Sequence, residues 1–164
     1  MFVSASYDRR VASGDELRRV LQRQPAGVVV VTVDLEGERL GLTVASFVSL
    51  ALEPPLVGIS IARQAALHEL LRAAGGFAVS LLAAGQVELA RHFARGVPPI
   101  ALWQGIETFP GARAPRLAGA VGWLDCALES QYEAGDHTFF VGAVERATLG
   151  VAGPALVRFE GDYA

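Results

Sequence analysis

"GLTVASFVSLALEPPLVGIS", residues 41 to 60, decides how this chain folds. Most of it reads as buried strand. Thr43, Ser46 and Ser49 nevertheless interrupt the apolar run, and Pro54-Pro55 closes its first half. A core strand has no use for hydroxyls, because an unbonded buried hydroxyl costs free energy. A strand end that leaves regular pairing to hold a polar ligand does have a use for them. The double proline fixes the turn into the next strand piece, "LVGISIA".

Upstream, Ser13 and Glu16 have capping-box spacing. Leu17, Val20 and Leu21 follow at helical spacing, which predicts a helix over about 14–24, ended by Pro25. "VVVVTV" is then a buried strand, and Asp34 to Glu38 a hairpin loop. Downstream, "QAALHELLRAAGG" predicts a helix with Leu67, Leu70 and Leu71 on its inner face and glycine at its stop. "FAVSLL" is a strand and "GQVELARHFA" a short helix. Residues 95 to 116 read as a long irregular segment, a kind of loop that is usually functional or a partner surface. "VGWLDCALESQYE" alternates, with Leu124, Cys126 and Leu128 on one face and Asp125, Ala127, Glu129 and Gln131 on the other, exposed one. "HTFFVGAVERATL" and "ALVRFEGDY" complete a count of six or seven strands and two or three helices. Without steady strand–helix alternation, the pattern predicts a mainly β fold: an antiparallel barrel with attached helices.

The 164 residues suit one domain spanning 1–164, with 1–13 as a flexible or partner-contacting N-terminal segment. Mean hydropathy is +0.37, but a charge-free run such as Leu40 to Leu52 is too short to cross a bilayer. The start "MFVSASYDRR" has no apolar core of a secretory signal. Cys126 is the single cysteine, so no internal disulfide forms, and a cytoplasmic location is expected. Net charge is −3, and all 14 basic residues are arginine. A phosphate-loop lysine, a Schiff-base lysine and a lysine general base are thereby excluded. The absence of a basic cluster argues against nucleic acid as a partner.

No Gly-x-Gly-x-x-Gly follows a strand, and Ser60 lacks the glycine pattern of a nucleophile elbow. His68, His92 and His137 have no ligand spacing, so no metal is expected. The second informative stretch is "GDHTFFVG", residues 135 to 142. Asp136-His137 sits there at the mouth of a very apolar strand. The carboxylate can orient the imidazole toward a cleft, or the pair can simply cap a turn.

Taken together, "GLTVASFVSLALEPPLV" (41–57), "FAVSLL" (77–82), "ELARHFA" (88–94) and "GDHTFFVGAVE" (135–145) resemble the flavin reductase family, built on the FMN-binding split barrel of Greek-key type. These are the small reductase components of two-component flavin monooxygenases. The resemblance runs from about Leu17 to Tyr163.

It implies an NAD(P)H:flavin oxidoreductase that reduces FMN, or FAD, with NADH or NADPH and passes reduced flavin to a partner monooxygenase. It also implies a homodimer with the site near the subunit interface. The flavin ring edge would lie against Thr43, Val44, Ala45 and Ser46. The flavin phosphate would lie at the turn Ala62-Arg63-Gln64-Ala65, where relatives carry serines and a threonine. This chain has none of those hydroxyls and offers instead Arg63, two amides and a helix N-terminus, which together make a workable anion site. His137 would face the nicotinamide as a positioning and polarising group. Phe93 would fall near the cofactor, and fits the core equally. His68 and His92 are expected at the solvent edges of their helices, without a role. Two other readings share the fold: a flavin- or haem-binding protein without reductase turnover, and a deazaflavin-dependent enzyme.

Overall fold

The computed structural model describes residues 11–96 and 98–164. Most of the expected N-terminal segment therefore lies outside the described residues. In chain order the elements are α1 (Gly14–Leu21), β1 (Ala26–Gly27), β2 (Val29–Leu35), β3 (Glu38–Val44), β4 (Val48–Leu52), β5 (Pro55–Ala62), α2 (Ala66–Ala74) and β6 (Gly76–Leu81). They continue as α3 (Val87–Ala94), α4 (Pro99–Leu102), β7 (Thr108–Phe109), β8 (Arg116–Leu117), β9 (Gly122–Ala134), β10 (His137–Leu149), β11 (Val157–Phe159) and β12 (Asp162–Tyr163).

Seven strands form one antiparallel sheet in the order β3-β2-β6-β9-β10-β5-β4. The fold is thus mainly β with few helices, as the strand patterning predicts. Val30, Val31, Ile59, Phe77 and Phe140 meet in its core at 0% exposure. Each such side chain contributes about 1.5–3 kcal/mol by burial. α2 covers one face with Leu67, Leu70 and Leu71. It ends where Gly75 takes φ +65°, a value glycine adopts without steric cost. α3 packs on β3 so closely that a Cβ at Gly41 would lie 2.5 Å from the Phe93 ring, which accounts for the glycine that opens the deciding stretch.

Local sequence rules explain α1. The Ser13 hydroxyl accepts from the Glu16 amide at 3.2 Å, and Glu16 accepts from the Ser13 amide at 2.8 Å. The helix stops at Leu21 rather than Gln24, three residues short of the expected range.

Three further expectations are corrected. The deciding stretch holds parts of three strands rather than two, because β3 ends at Val44 and β4 begins at Val48. "ALVRFEGDY" is a hairpin rather than one strand, since Glu160 and Gly161 take φ values of 52° and 87° and reverse the chain. Asp125 is fully buried rather than exposed. The segment around 111–116 folds over that face of β9, where the Ala112 amide donates to Asp125 at 3.2 Å and Arg116 pairs with its other oxygen. That segment is also less irregular than its composition suggests, holding α4 and the β7–β8 pair.

Candidate active site

Between β3 and β4 the backbone of Ala45 to Phe47 leaves the strand ladder. The break lies against β5: the Ser46 hydroxyl donates to the Ser60 carbonyl and accepts from the Ser60 amide, both at 3.0 Å. β5 in turn pairs with the start of β10, placing Ala62 opposite His137 and Ile61 opposite Thr138. The two informative stretches of the sequence therefore converge through β5.

A cleft of about 920 Å³ opens at this convergence. Its lining includes Ala45, Ser46, Phe47 and His137 from the sheet. One wall is α1 and the chain that follows it, with Leu17, Leu21 and Gln24; the other is the β11–β12 hairpin, with Arg158 and Phe159. The size suits a small organic ligand, and so does a lining of apolar surface with a few polar groups. A flat ring with a hydrogen-bonding edge fits these walls: Phe47, Leu17 and Phe159 offer apolar contact, and the unladdered backbone of 45–47 offers polar groups.

His137 is half-exposed, with 42% of its side chain accessible. Its Nδ1 lies 2.7 Å from the Asp136 carboxylate. An ionised carboxylate only accepts, so Nδ1 carries the proton and the neutral ring leaves Nε2 as an acceptor. The same bond holds the Asp136 carboxyl below the usual carboxylate range. Arg63 secures the turn from the other side. Its amide donates to the Asp136 carbonyl at 3.0 Å and its Nη2 to the Gly135 carbonyl at 2.7 Å.

The other predicted residues divide into two groups. The turn Ala62-Arg63-Gln64-Ala65 adjoins His137 along the sheet but does not line the cleft. The Ala65 cap of α2 makes no side-chain bond, so the first amides of that helix lack the usual capping partner. Thr43, Val44 and Phe93 are not brought to the cleft. The Thr43 hydroxyl donates to the Ala90 carbonyl at 2.7 Å and ties β3 to α3. Val44 is 5% exposed, and Phe93, at 2%, packs edge-on to Trp103 in the core. Neither remaining histidine lies at a solvent edge with no partner. His92 Nε2 is 2.8 Å from the Leu102 carbonyl, and His68 is 4% exposed and bonded through both ring nitrogens.

Sequence reasoning missed Arg158, which lines the cleft and has no ionic or hydrogen-bonding side-chain partner among the described residues. Nothing in its local pattern marks it, because it reaches the site through the β1–β11 pairing of Ala26 with Arg158. Among the described residues no group of acidic, histidine or cysteine side chains can hold a metal ion. Cys126 is buried, which pushes its thiol up to about 12 and leaves it inert as a nucleophile.

The model of the flavin reductase like domain matches residues 21–164. The chain belongs to this family. It is 46% identical over 142 residues to the NADH-dependent FAD reductase of Streptomyces globisporus, covering 81% of this chain and 75% of that protein. It is 41% identical over 150 residues to the reductase component of 4-hydroxyphenylacetate 3-monooxygenase from Thermus thermophilus, covering 91% and 94%. Among solved structures, the NADH:FAD oxidoreductase of Streptomyces globisporus in complex with NAD and FAD fragments superposes with a TM-score of 0.87 at 39% identity, covering 94% of this chain and 95% of that one.

Proposed function

We propose that this protein is an NADH-dependent flavin reductase that supplies reduced flavin to a partner monooxygenase. The observation that carries the reading is the convergence of the 45–47 strand break and His137 on one cleft, in a chain of this family. The relatives named as NADH-dependent FAD reductase and as monooxygenase reductase component support both halves of it.

Bound flavin and nicotinamide nucleotide would supply the hydride acceptor and donor. The chain itself has to bind, orient and exclude water. The backbone of Ala45 and Ser46 would hold the polar edge of the ring, with Phe47 against its flat face. The Nε2 of His137, aimed by Asp136, would accept from the nicotinamide carboxamide and fix which ring face is presented. No protein base would be needed, since the bound rings would themselves supply hydride donor and acceptor. Arg158 would meet the phosphates of the nicotinamide nucleotide from the opposite wall. The turn Ala62-Arg63-Gln64-Ala65 would receive the flavin phosphate through its amides and the uncapped start of α2. FMN and FAD share the ring and this phosphate, and we assign FMN as the minimal ligand.

A homodimer is supported by apolar surface that this chain leaves uncovered. Leu17, Val20 and Leu21 on α1 are 55%, 69% and 51% exposed, and Leu50 and Leu52 on β4 are 44% and 84% exposed. Closing such patches is a common reason for association. We place the protein in the cytoplasm, consistent with the lone buried cysteine.

The test is NADH oxidation under air with and without added FMN or FAD. Flavin-dependent loss of NADH is expected. Tight stoichiometric yellow colour without NADH loss would instead favour a flavin-binding protein. Arg63→Ala should weaken flavin binding by opening the turn; unchanged affinity would move the phosphate elsewhere.

A further inference from the structure

His68 lies in the first turn of α2 and is 4% exposed. Its Nε2 is 2.8 Å from the Thr138 hydroxyl, and its Nδ1 is 2.8 Å from a Glu69 carboxylate oxygen. Its ring edge meets Phe140, with centroids 5.3 Å apart. Thr138, itself 5% exposed, is the residue after His137. Successive strand residues point to opposite faces. The Thr138 side chain therefore points toward α2 while that of His137 opens to the cleft.

α2 begins immediately after the turn Ala62-Arg63-Gln64-Ala65. The imidazole thus spans from the helix that follows that turn to the strand that starts with His137. The β5–β10 ladder already sets Ala62 opposite His137. Beyond it the turn is clasped from the Arg63 amide to the Asp136 carbonyl and from Arg63 Nη2 to the Gly135 carbonyl, but Arg63 is exposed. The His68–Thr138 bond is buried, where losing one partner costs most. We propose that His68 is a positioning residue that holds the flavin-phosphate turn and the His137 imidazole at a fixed separation.

The chemistry of the bond suits a permanent strut. The Glu69 carboxylate accepts from Nδ1–H, so Nε2 of the neutral ring accepts from the Thr138 hydroxyl. A protonated ring would donate through both nitrogens, and the hydroxyl would turn to accept. The strut persists in either state. Glu69 is held below the usual carboxylate range chiefly by its bond from His68, in keeping with this direction of donation.

Hydride transfer depends steeply on the distance and alignment of two rings, and small displacements carry large rate penalties. The inference rests on the flavin reductase reading, and the experiment separates the two. Anaerobic stopped-flow reduction of flavin by NADH is measured for the parent, Thr138→Ser, Thr138→Val, and the double variant His68→Leu with Thr138→Val. Flavin dissociation constants and melting temperatures are read alongside. The double variant removes both polar partners, so it leaves no buried group unsatisfied and guards against loss of folding. It should melt near the parent, bind flavin within about twofold, and transfer hydride about tenfold more slowly at saturating NADH. Thr138→Ser should stay near the parent rate, and Thr138→Val should be slow whether or not it melts early. A folded double variant with the parent rate overturns the positioning role, as does a rate that merely follows the fraction folded. A parent protein that reduces no flavin overturns the reductase reading itself.

Discussion

The β9–β10 ribbon carries an acid–base pair toward each end. At one end Asp136 and His137 sit in the open, the carboxylate fully exposed and the imidazole half-exposed beside a cleft. Toward the other, Asp125 is paired in register with Arg146 on β10, but its carboxylate is bonded to Arg116 and to the Ala112 amide, at 0% exposure. That pair is closed: the acid's valence is spent on the segment that covers it, and the unpartnered Arg116 Nε is sealed from solvent. The open pair keeps an unspent imidazole nitrogen facing free volume. Charge pairing alone does not mark a site; an unspent group facing a cavity does. The closed pair belongs to stability; the open one is the pair we propose for chemistry.

The strongest way to break this contrast is Asp125→Ala. It strands the Arg116 charge in the interior and should cost about 3–5 kcal/mol in urea unfolding, with turnover per folded molecule unchanged. A loss below about 1 kcal/mol would show that the pair is not truly closed. The mirror experiment is His137→Ala. Its rate of flavin reduction should fall between about tenfold and a hundredfold, while stability stays within about 0.5 kcal/mol of the parent. Equal NADH kinetics in the two proteins would remove His137 from the site. Arg158→Ala sharpens the picture of the open end. It should raise KM for NADH by about tenfold, the worth of a charge-assisted hydrogen bond, and leave kcat unaltered. A change in kcat alone would place Arg158 nearer the reacting rings.

The smallest effect concerns the residue after Asp125. Burial raises the Cys126 thiol from 9.0 to about 12. A raised folded-state value favours the protonated thiol, so its contribution is complete below about pH 9 and is lost as pH climbs toward 12. Cys126→Ala should therefore flatten the alkaline limb of the stability curve, and thiol reagents should label the parent only on unfolding. Rapid labelling of folded protein would contradict the burial.

Much of this was legible from residue order. The bounds of β10 and the capping box of α1 follow from local patterns that tertiary structure leaves intact. The hydroxyls in an apolar run pointed to a loss of pairing around 43–46, but Thr43 and Val44 stay laddered to Val30 and Val29 and the break falls at 45–47. The misplacement of Asp125 has a definite cause: alternation tells which face a side chain takes, not whether another segment covers that face. Thr43 teaches the related lesson, because a hydroxyl at a strand end can bond a neighbouring helix as readily as a ligand. Arg158 and His68 were beyond local reading altogether, since their partners or surroundings lie 70 or more positions away in the chain for His68–Thr138 and across the β1–β11 pairing for Arg158.

The cleft walls have a further consequence. Both stand outside the seven-stranded sheet, which supplies only the floor. They are stitched to each other, by the Glu160 amide donating to the Gln22 carbonyl at 2.8 Å and by Arg23 pairing with Glu160 at 2.6 Å. They touch the rest of the fold at few points, among them Tyr163 against the core and Arg91 of α3 beside Asp162 at 3.5 Å. On the proposed reading, transplanting residues 14–27 together with 157–163 from a relative would exchange the nucleotide-facing walls as a cassette while the sheet that carries His137 stays the same.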